Sequence, residues 1–327
     1  MPHSIARGRT LQPIPWTTYF ERQLFLKDDG DGDGIGDGSA SRATIHAYLT
    51  SPVGKGPLFV MHHGAGSSGL SFAVVGAEIR KRLPAAGILS PDARGHGSTT
   101  VPPSATSSPP SQEEAPDLSL ETLTGDLLSA VRRTQRAMGW AALPPVVLVG
   151  HSLGGAVVTD LARRGALGNA LLGYAVLDVV EGSAIDALQS MHTYLSTRPT
   201  GFATVEAAVD WHVRSRTIRN PISARTSVPA LLSRCGEENG GQGGAVDPRP
   251  WKWRTDLGAT QPFWENWFVG LSKKFLEARG GKLLLLAGTD RLDTELTIGQ
   301  MQGMHAPTRG HSLIPHPSCP PPSNERT

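Results

Sequence analysis

The chain has 327 residues and nearly balanced charge, 31 Lys+Arg against 29 Asp+Glu, which suits one large buried core with an insertion and excludes a basic nucleic-acid-binding surface. Cys235 and Cys319 lack metal-ligand or redox spacing, and no run approaches the roughly 18 apolar residues of a membrane span. A soluble, reducing, intracellular setting, cytoplasmic or also nuclear, is expected, with no metal and no cofactor.

The start of the chain, with Arg7, Arg9, Pro13 and Pro15, has no apolar leader region. Strand-like residues 23–26 and 44–49 flank the sequence DDGDGDGIGDG at 28–38. Asp29, Asp31, Asp33 and Gly34 are spaced like the opening of an EF-hand loop. The twelfth position holds Ala40 where a bidentate Glu is needed, and no framing helices are present, so a hairpin insertion without useful calcium affinity is expected.

Apolar runs at 58–61, 87–89, 146–149, 175–177 and 283–287 end in glycine or polar sequence, as buried parallel strands do. Between them Leu120, Leu123, Leu127, Leu128 and Val131 recur every three to four residues behind Ser119, the expected N-cap of a helix. Strand and helix alternate, which predicts a doubly wound, mostly parallel α/β sheet. Residues 101–116 read as a Pro- and Ser-rich solvated loop. Residues 181–262, inserted between two strands, hold the position of a cap over an active site.

Gly150-His151-Ser152-Leu153-Gly154 follows the strand at 146–149 and opens a helical stretch. Ser152 therefore falls on a strand-to-helix turn, where its hydroxyl can act as a nucleophile and the Leu153 N–H can meet an oxyanion. A second donor is expected from His63-Gly64-Ala65-Gly66, at Ala65 or Gly66, in the loop after the strand at 58–61. His96, in Asp92-Ala93-Arg94-Gly95-His96-Gly97, precedes the serine in the chain and reads as a structural loop residue. Two acids suit the order Ser, Asp, His: Asp178 after the strand at 175–177, and Asp290, with Asp293 close by, after the strand at 283–287. Spacing alone does not choose between them.

Several stretches are more specific: HHGAGSSGLSF from His62, DARGHG from Asp92, DLSLETLTGDL from Asp117, GHSLGGA from Gly150, LDVVEGSAIDAL from Leu177, IRNPISAR from Ile218, FWENWFVGLSKKFL from Phe263 and KLLLLAGTDRLDTELTIGQMQG from Lys282. In these the chain resembles the eukaryotic protein phosphatase methylesterases, which act on protein phosphatase 2A, from about residue 14 to 303. The resemblance implies an α/β-hydrolase fold with Ser152 as nucleophile, Asp178 rather than Asp290 as triad acid, and no cofactor. It also implies hydrolysis of the methyl ester on the C-terminal leucine of the phosphatase catalytic subunit, which would be the protein partner.

After Gly303 the resemblance ends, and MHAPTRGHSLIPHPSCPPPSNERT replaces the family's last strand, Gly-His loop and final helix. Pro307, Pro315, Pro317, Pro320, Pro321 and Pro322 fit neither a central strand nor a helix. One domain over 1–303 and a disordered, replaced tail over 304–327 are expected. His311, in Gly310-His311, is the nearest surrogate for the general base, with His305 and His316 behind it. Two other functions remain open at this point: a catalytically crippled protein that still binds the phosphatase, and a small-molecule esterase.

Overall fold

The computed structural model describes residues 11–27, 43–102, 116–235, 247–287 and 293–301. The acidic stretch at 28–38, Asp290, and the tail with His305, His311, His316 and Cys319 lie outside the described residues. In chain order the elements are β1 (Arg22–Leu26), β2 (Ile45–Thr50), β3 (Leu58–His62), α1 (Ala73–Arg82), β4 (Gly87–Pro91), α2 (Leu120–Ala137), β5 (Val146–His151), α3 (Leu153–Arg164) and β6 (Leu171–Leu177). There follow α4 (Glu181–Thr197), α5 (Val205–Arg214), α6 (Pro221–Ser227), β7 (Leu232–Arg234), β8 (Trp251–Trp253), α7 (Trp264–Phe268), α8 (Leu271–Glu277), β9 (Gly281–Leu285) and α9 (Thr294–Met301).

The apolar runs form one seven-stranded sheet in the order β1-β2-β4-β3-β5-β6-β9. The pairings β1–β2 and β2–β4 are antiparallel, and all pairings from β4 through β9 are parallel. This is the expected doubly wound sheet. β6 begins at Leu171, earlier than its apolar run suggests, because Gly173 interrupts the hydrophobic pattern without breaking the ladder. The chain leaves β3 toward β4 on one side and returns to β5 on the other, so the crevice between the carboxyl ends of β3 and β5 is the switch point where α/β sheets bind ligands.

Helix α2 starts as its sequence predicts, with Thr122 N–H donating to Ser119 Oγ at 3.3 Å. Its Leu123, Leu127 and Val131 are buried with Leu153, Val157 and Leu161 of α3, and with Trp267 and Phe275 of α7 and α8, on one face of the sheet. Burial of each such side chain contributes about 1.5–3 kcal/mol. The other face carries Met61, Phe72, Ala73, Ile88 and Val149 under α1, against which α6 packs.

The segment between β6 and α7 builds a small core of its own from Phe202, Ala208, Val209, Ala224, Val228 and Leu232. Its β7–β8 hairpin leads back over the carboxyl ends of the strands. Thr255 Oγ1 donates to Gly95 O at 2.9 Å, and the Leu257 side chain lies against Gly66.

Candidate active site

The turn from β5 into α3 is too tight for ordinary side chains. A Cβ at Gly150 would sit 2.0 Å from Gly154 O, and one at Gly154 would sit 2.0 Å from His62 O. Glycine at both positions lets the helix start directly on the strand and lets β3 approach it. The sharpness of the turn falls on Ser152, which has φ 53° and ψ −122°, a region a non-glycine residue occupies at a cost of about 1–3 kcal/mol. Ser152 stands at the N-cap of α3, yet its side chain makes no cap bond, so its hydroxyl is not committed to the helix. Its backbone N–H donates to Leu177 O at 3.2 Å, tying the turn to β6.

Leu153 is the first residue of α3, so its N–H has no carbonyl one turn earlier to bond and points out at the positive end of the helix dipole. Across the switch point, the loop after β3 supplies Ala65. Neither the Leu153 nor the Ala65 N–H donates to a group among the described residues. Gly66 differs: its N–H donates to His96 Nε2 at 2.8 Å. The expectation that Ala65 or Gly66 serves as second donor therefore narrows to Ala65, since the Gly66 N–H is already used.

Asp178 follows β6 directly. Register places Leu177 beside both His151 and Leu285, so the residues after β5, β6 and β9 emerge level. Asp178 takes a positive φ of 56°, and its N–H donates to Leu285 O at 2.7 Å. Its Oδ1 accepts the Ala287 N–H at 2.9 Å. Asp293 is used otherwise: its Oδ1 accepts the Leu296 N–H at 2.9 Å, capping α9, and its Oδ2 accepts the Ser272 hydroxyl. Asp290 and His311 fall outside the described residues. Among the described residues no imidazole hydrogen-bonds Ser152; His151, next in the chain, lies within electrostatic range of Asp178, which opposes the lowering of its pKa by burial.

Behind the loop after β3 lies a set of buried histidines that the motifs only hinted at. His46 Nδ1 sits 2.7 Å from Asp92 Oδ2, and the other carboxylate oxygen accepts the Gly69 N–H at 2.7 Å. These contacts hold the Asp92 carboxyl below its ordinary range against the opposing effect of burial. Burial lowers His62 to about 4, His63 well below the ordinary value and His96 below it as well. All three are neutral at physiological pH. The doublet His62-His63 and His96 were visible in the sequence, but the amides that His63 and His96 accept, those of Ala93 and Gly66, lie 30 residues away in the chain and could be found only in three dimensions.

Comparison with known proteins agrees with this geometry. A family model described as the alpha/beta hydrolase family matches residues 59–320. Protein phosphatase methylesterase 1 of Gibberella zeae is 66% identical over 317 residues, covering 95% of this chain and 73% of that protein. The chain belongs to the protein phosphatase methylesterase family. The mouse member, Protein phosphatase methylesterase 1 of Mus musculus, is 36% identical over 342 residues, 94% of this chain and 82% of that one. Among solved structures, E-2-(acetamidomethylene)succinate hydrolase matches with TM-score 0.55 and 14% identity, over 80% of this chain and 84% of that chain. A thioesterase domain from the curacin biosynthetic pathway matches with TM-score 0.53 and 16% identity, over 86% and 88%. These two share the fold. This member of the methylesterase family is thus an α/β hydrolase and a carboxylic ester hydrolase.

Proposed function

We propose that the protein removes the methyl ester from the C-terminal leucine of the protein phosphatase 2A catalytic subunit, with Ser152 as nucleophile. The observation that carries the reading is the strained Ser152 turn, which presents an uncapped hydroxyl beside the free Leu153 N–H. The names of the relatives, 36–66% identical over most of the chain, support the phosphatase as substrate.

In this mechanism Ser152 Oγ attacks the ester carbonyl while a general base takes its proton. The carbonyl oxygen becomes an oxyanion held by the Leu153 and Ala65 N–H groups. Collapse expels methanol, which receives the proton, and leaves an acyl-enzyme; water, deprotonated by the same base, then releases the free carboxylate. Asp178 orients the base and stabilises its protonated form. His311 is the candidate base.

The six prolines around His311 favour a second reading, a phosphatase-binding protein with little turnover. One experiment separates the two. The full chain is incubated with methylated phosphatase catalytic subunit, and both retention of the phosphatase and release of methanol are followed, with Ser152→Ala in parallel. Methanol release that Ser152→Ala abolishes supports the esterase. Retention of the phosphatase without methanol release supports the binding protein.

A further inference from the structure

The loop after β3 and the loop after β4 are joined by two imidazoles that run in opposite directions. His63, in the first loop, accepts the Ala93 N–H of the second at Nε2, 2.9 Å away. His96, in the second loop, accepts the Gly66 N–H of the first at Nε2, 2.8 Å away. The remaining nitrogens fix the tautomers. His63 Nδ1 lies 2.8 Å from Gly64 O and His96 Nδ1 lies 2.8 Å from Arg94 O; a carbonyl only accepts, so each Nδ1 carries the hydrogen. Both rings are buried, at 1% and 2% exposure, with centroids 5.1 Å apart.

These bonds act on the peptide planes that flank Ala65. A trans peptide is planar, so its C=O and the following N–H point in opposite directions. The plane holding Gly64 C=O also holds Ala65 N–H, and His63 fixes it by donating to that carbonyl. The plane holding Ala65 C=O also holds Gly66 N–H, and His96 fixes that one. His62 adds a third tie one plane earlier, with Nδ1 3.0 Å from His63 O.

We propose that His63 and His96 form a crossed latch of neutral imidazoles that aims the Ala65 N–H at the reacting carbonyl oxygen, and that His96 is a positioning residue for ester hydrolysis. The inference rests on the oxyanion site of the function proposed above. His96 touches no reacting atom: it acts through the Gly66 amide, and releasing that amide leaves the Ala65 plane anchored at one end only.

The test combines nitrogen NMR of the imidazoles, amide hydrogen exchange and ester kinetics. In the unmodified chain at neutral pH, His96 should appear as the Nδ1–H tautomer and the Gly66 amide should exchange slowly. His96→Phe, which keeps an aromatic ring but no acceptor, should speed Gly66 exchange at least about tenfold while leaving α2 amides unchanged. Losing an oxyanion donor outright costs about 10²–10³ in kcat. His96→Phe should therefore lower kcat on a small methyl or p-nitrophenyl ester by about ten- to a hundredfold with KM nearly unchanged, and His96→Gln, whose side-chain carbonyl can accept, should recover most of it. An Nε2–H tautomer or an imidazolium at His96, or a freely exchanging Gly66 amide in the unmodified chain, would overturn the latch even if His96→Phe does not fold. Equal kcat in the unmodified chain and a folded His96→Phe would overturn its role in positioning. A chain inactive on every ester would count against the function proposed above, while the tautomer and exchange measurements would still decide the latch.

Discussion

Ser152 and Asp178 share an uncommon backbone conformation, with φ of 53° and 56° at the carboxyl ends of neighbouring strands. The Ser152 side chain makes no bond to its own helix, and the Asp178 carboxylate accepts the Ala287 N–H just beyond β9. In an active chain, Asp178→Asn is expected to lower kcat by about 10⁴-fold. Asp290→Asn should have a much smaller effect, and steady-state kinetics showing the reverse ranking would move the acid to Asp290. The buried imidazoles make a separate prediction about stability. An unfolded chain protonates these rings near pH 6.5, whereas the fold resists protonation of His62 down to about 4. Below pH 6.5 the unfolded state thus binds more protons and stability falls, by up to about 1.4 kcal/mol per pH unit for each ring, until the folded value is reached. Denaturant midpoints should be level from pH 7.5 to 6.5 and drop between 6.5 and 5, before most carboxylates titrate. A level profile down to pH 5 would show that these rings take up protons in the fold as readily as in the unfolded chain. At this scale the strand-to-helix turn at Ser152 was readable, because Gly-x-Ser-x-Gly came with an apolar run before it and a helical stretch after it. Which of the Ala65 and Gly66 N–H groups is already bonded was not, because that depends on where His96 sits.

Helix α2 connects the core to the site. Its Asp126 forms a buried two-pronged bridge with Arg94, at 2.8 and 2.9 Å, in the loop that carries His96. Its amino end depends on Ser119, whose Oγ accepts the Thr122 N–H while the Asp117 carboxylate accepts the Ser119 N–H at 2.9 Å. Ser119→Ala should therefore cost about 1 kcal/mol, read as a lower denaturant midpoint with unchanged slope. Leu127→Ala, on the buried face of the same helix, should cost about 2–5 kcal/mol. Equal effects from the two would mean that the helix is held by its cap rather than by its packing. Elements with strong periodicity, such as α2 and the strands of the sheet, could be placed from sequence to within a few residues. The short α5, α6 and β7–β8 pieces could not, because their side chains pack against one another in a local core and leave little periodic signal along the chain.

Among the described residues the sheet ends at β9, and its outward-facing positions are apolar: Leu283 is 57% and Leu285 59% exposed, with Leu172 of β6 54% exposed. An apolar edge invites pairing with another chain. Leu283→Lys is expected to raise the soluble yield and lower the concentration-dependent apparent mass in light scattering, with no change in the thermal midpoint. If association persists unchanged, another surface drives it. A mostly parallel, doubly wound sheet could be anticipated from the alternation of strand and helix, whereas the order of its strands and their exposed positions among the described residues could not, since these depend on the tertiary neighbours of each strand. The crossed latch also limits how such a protein can be recombined. Ala93 serves His63 while Gly66 serves His96, and all of α1 and β4 lie between the two members of each pair in the chain. A chimaera joined anywhere between residues 66 and 92 would bring together half of each pair from different parents, so the two loops and everything between them should be exchanged as one block, from before His62 to beyond Gly97.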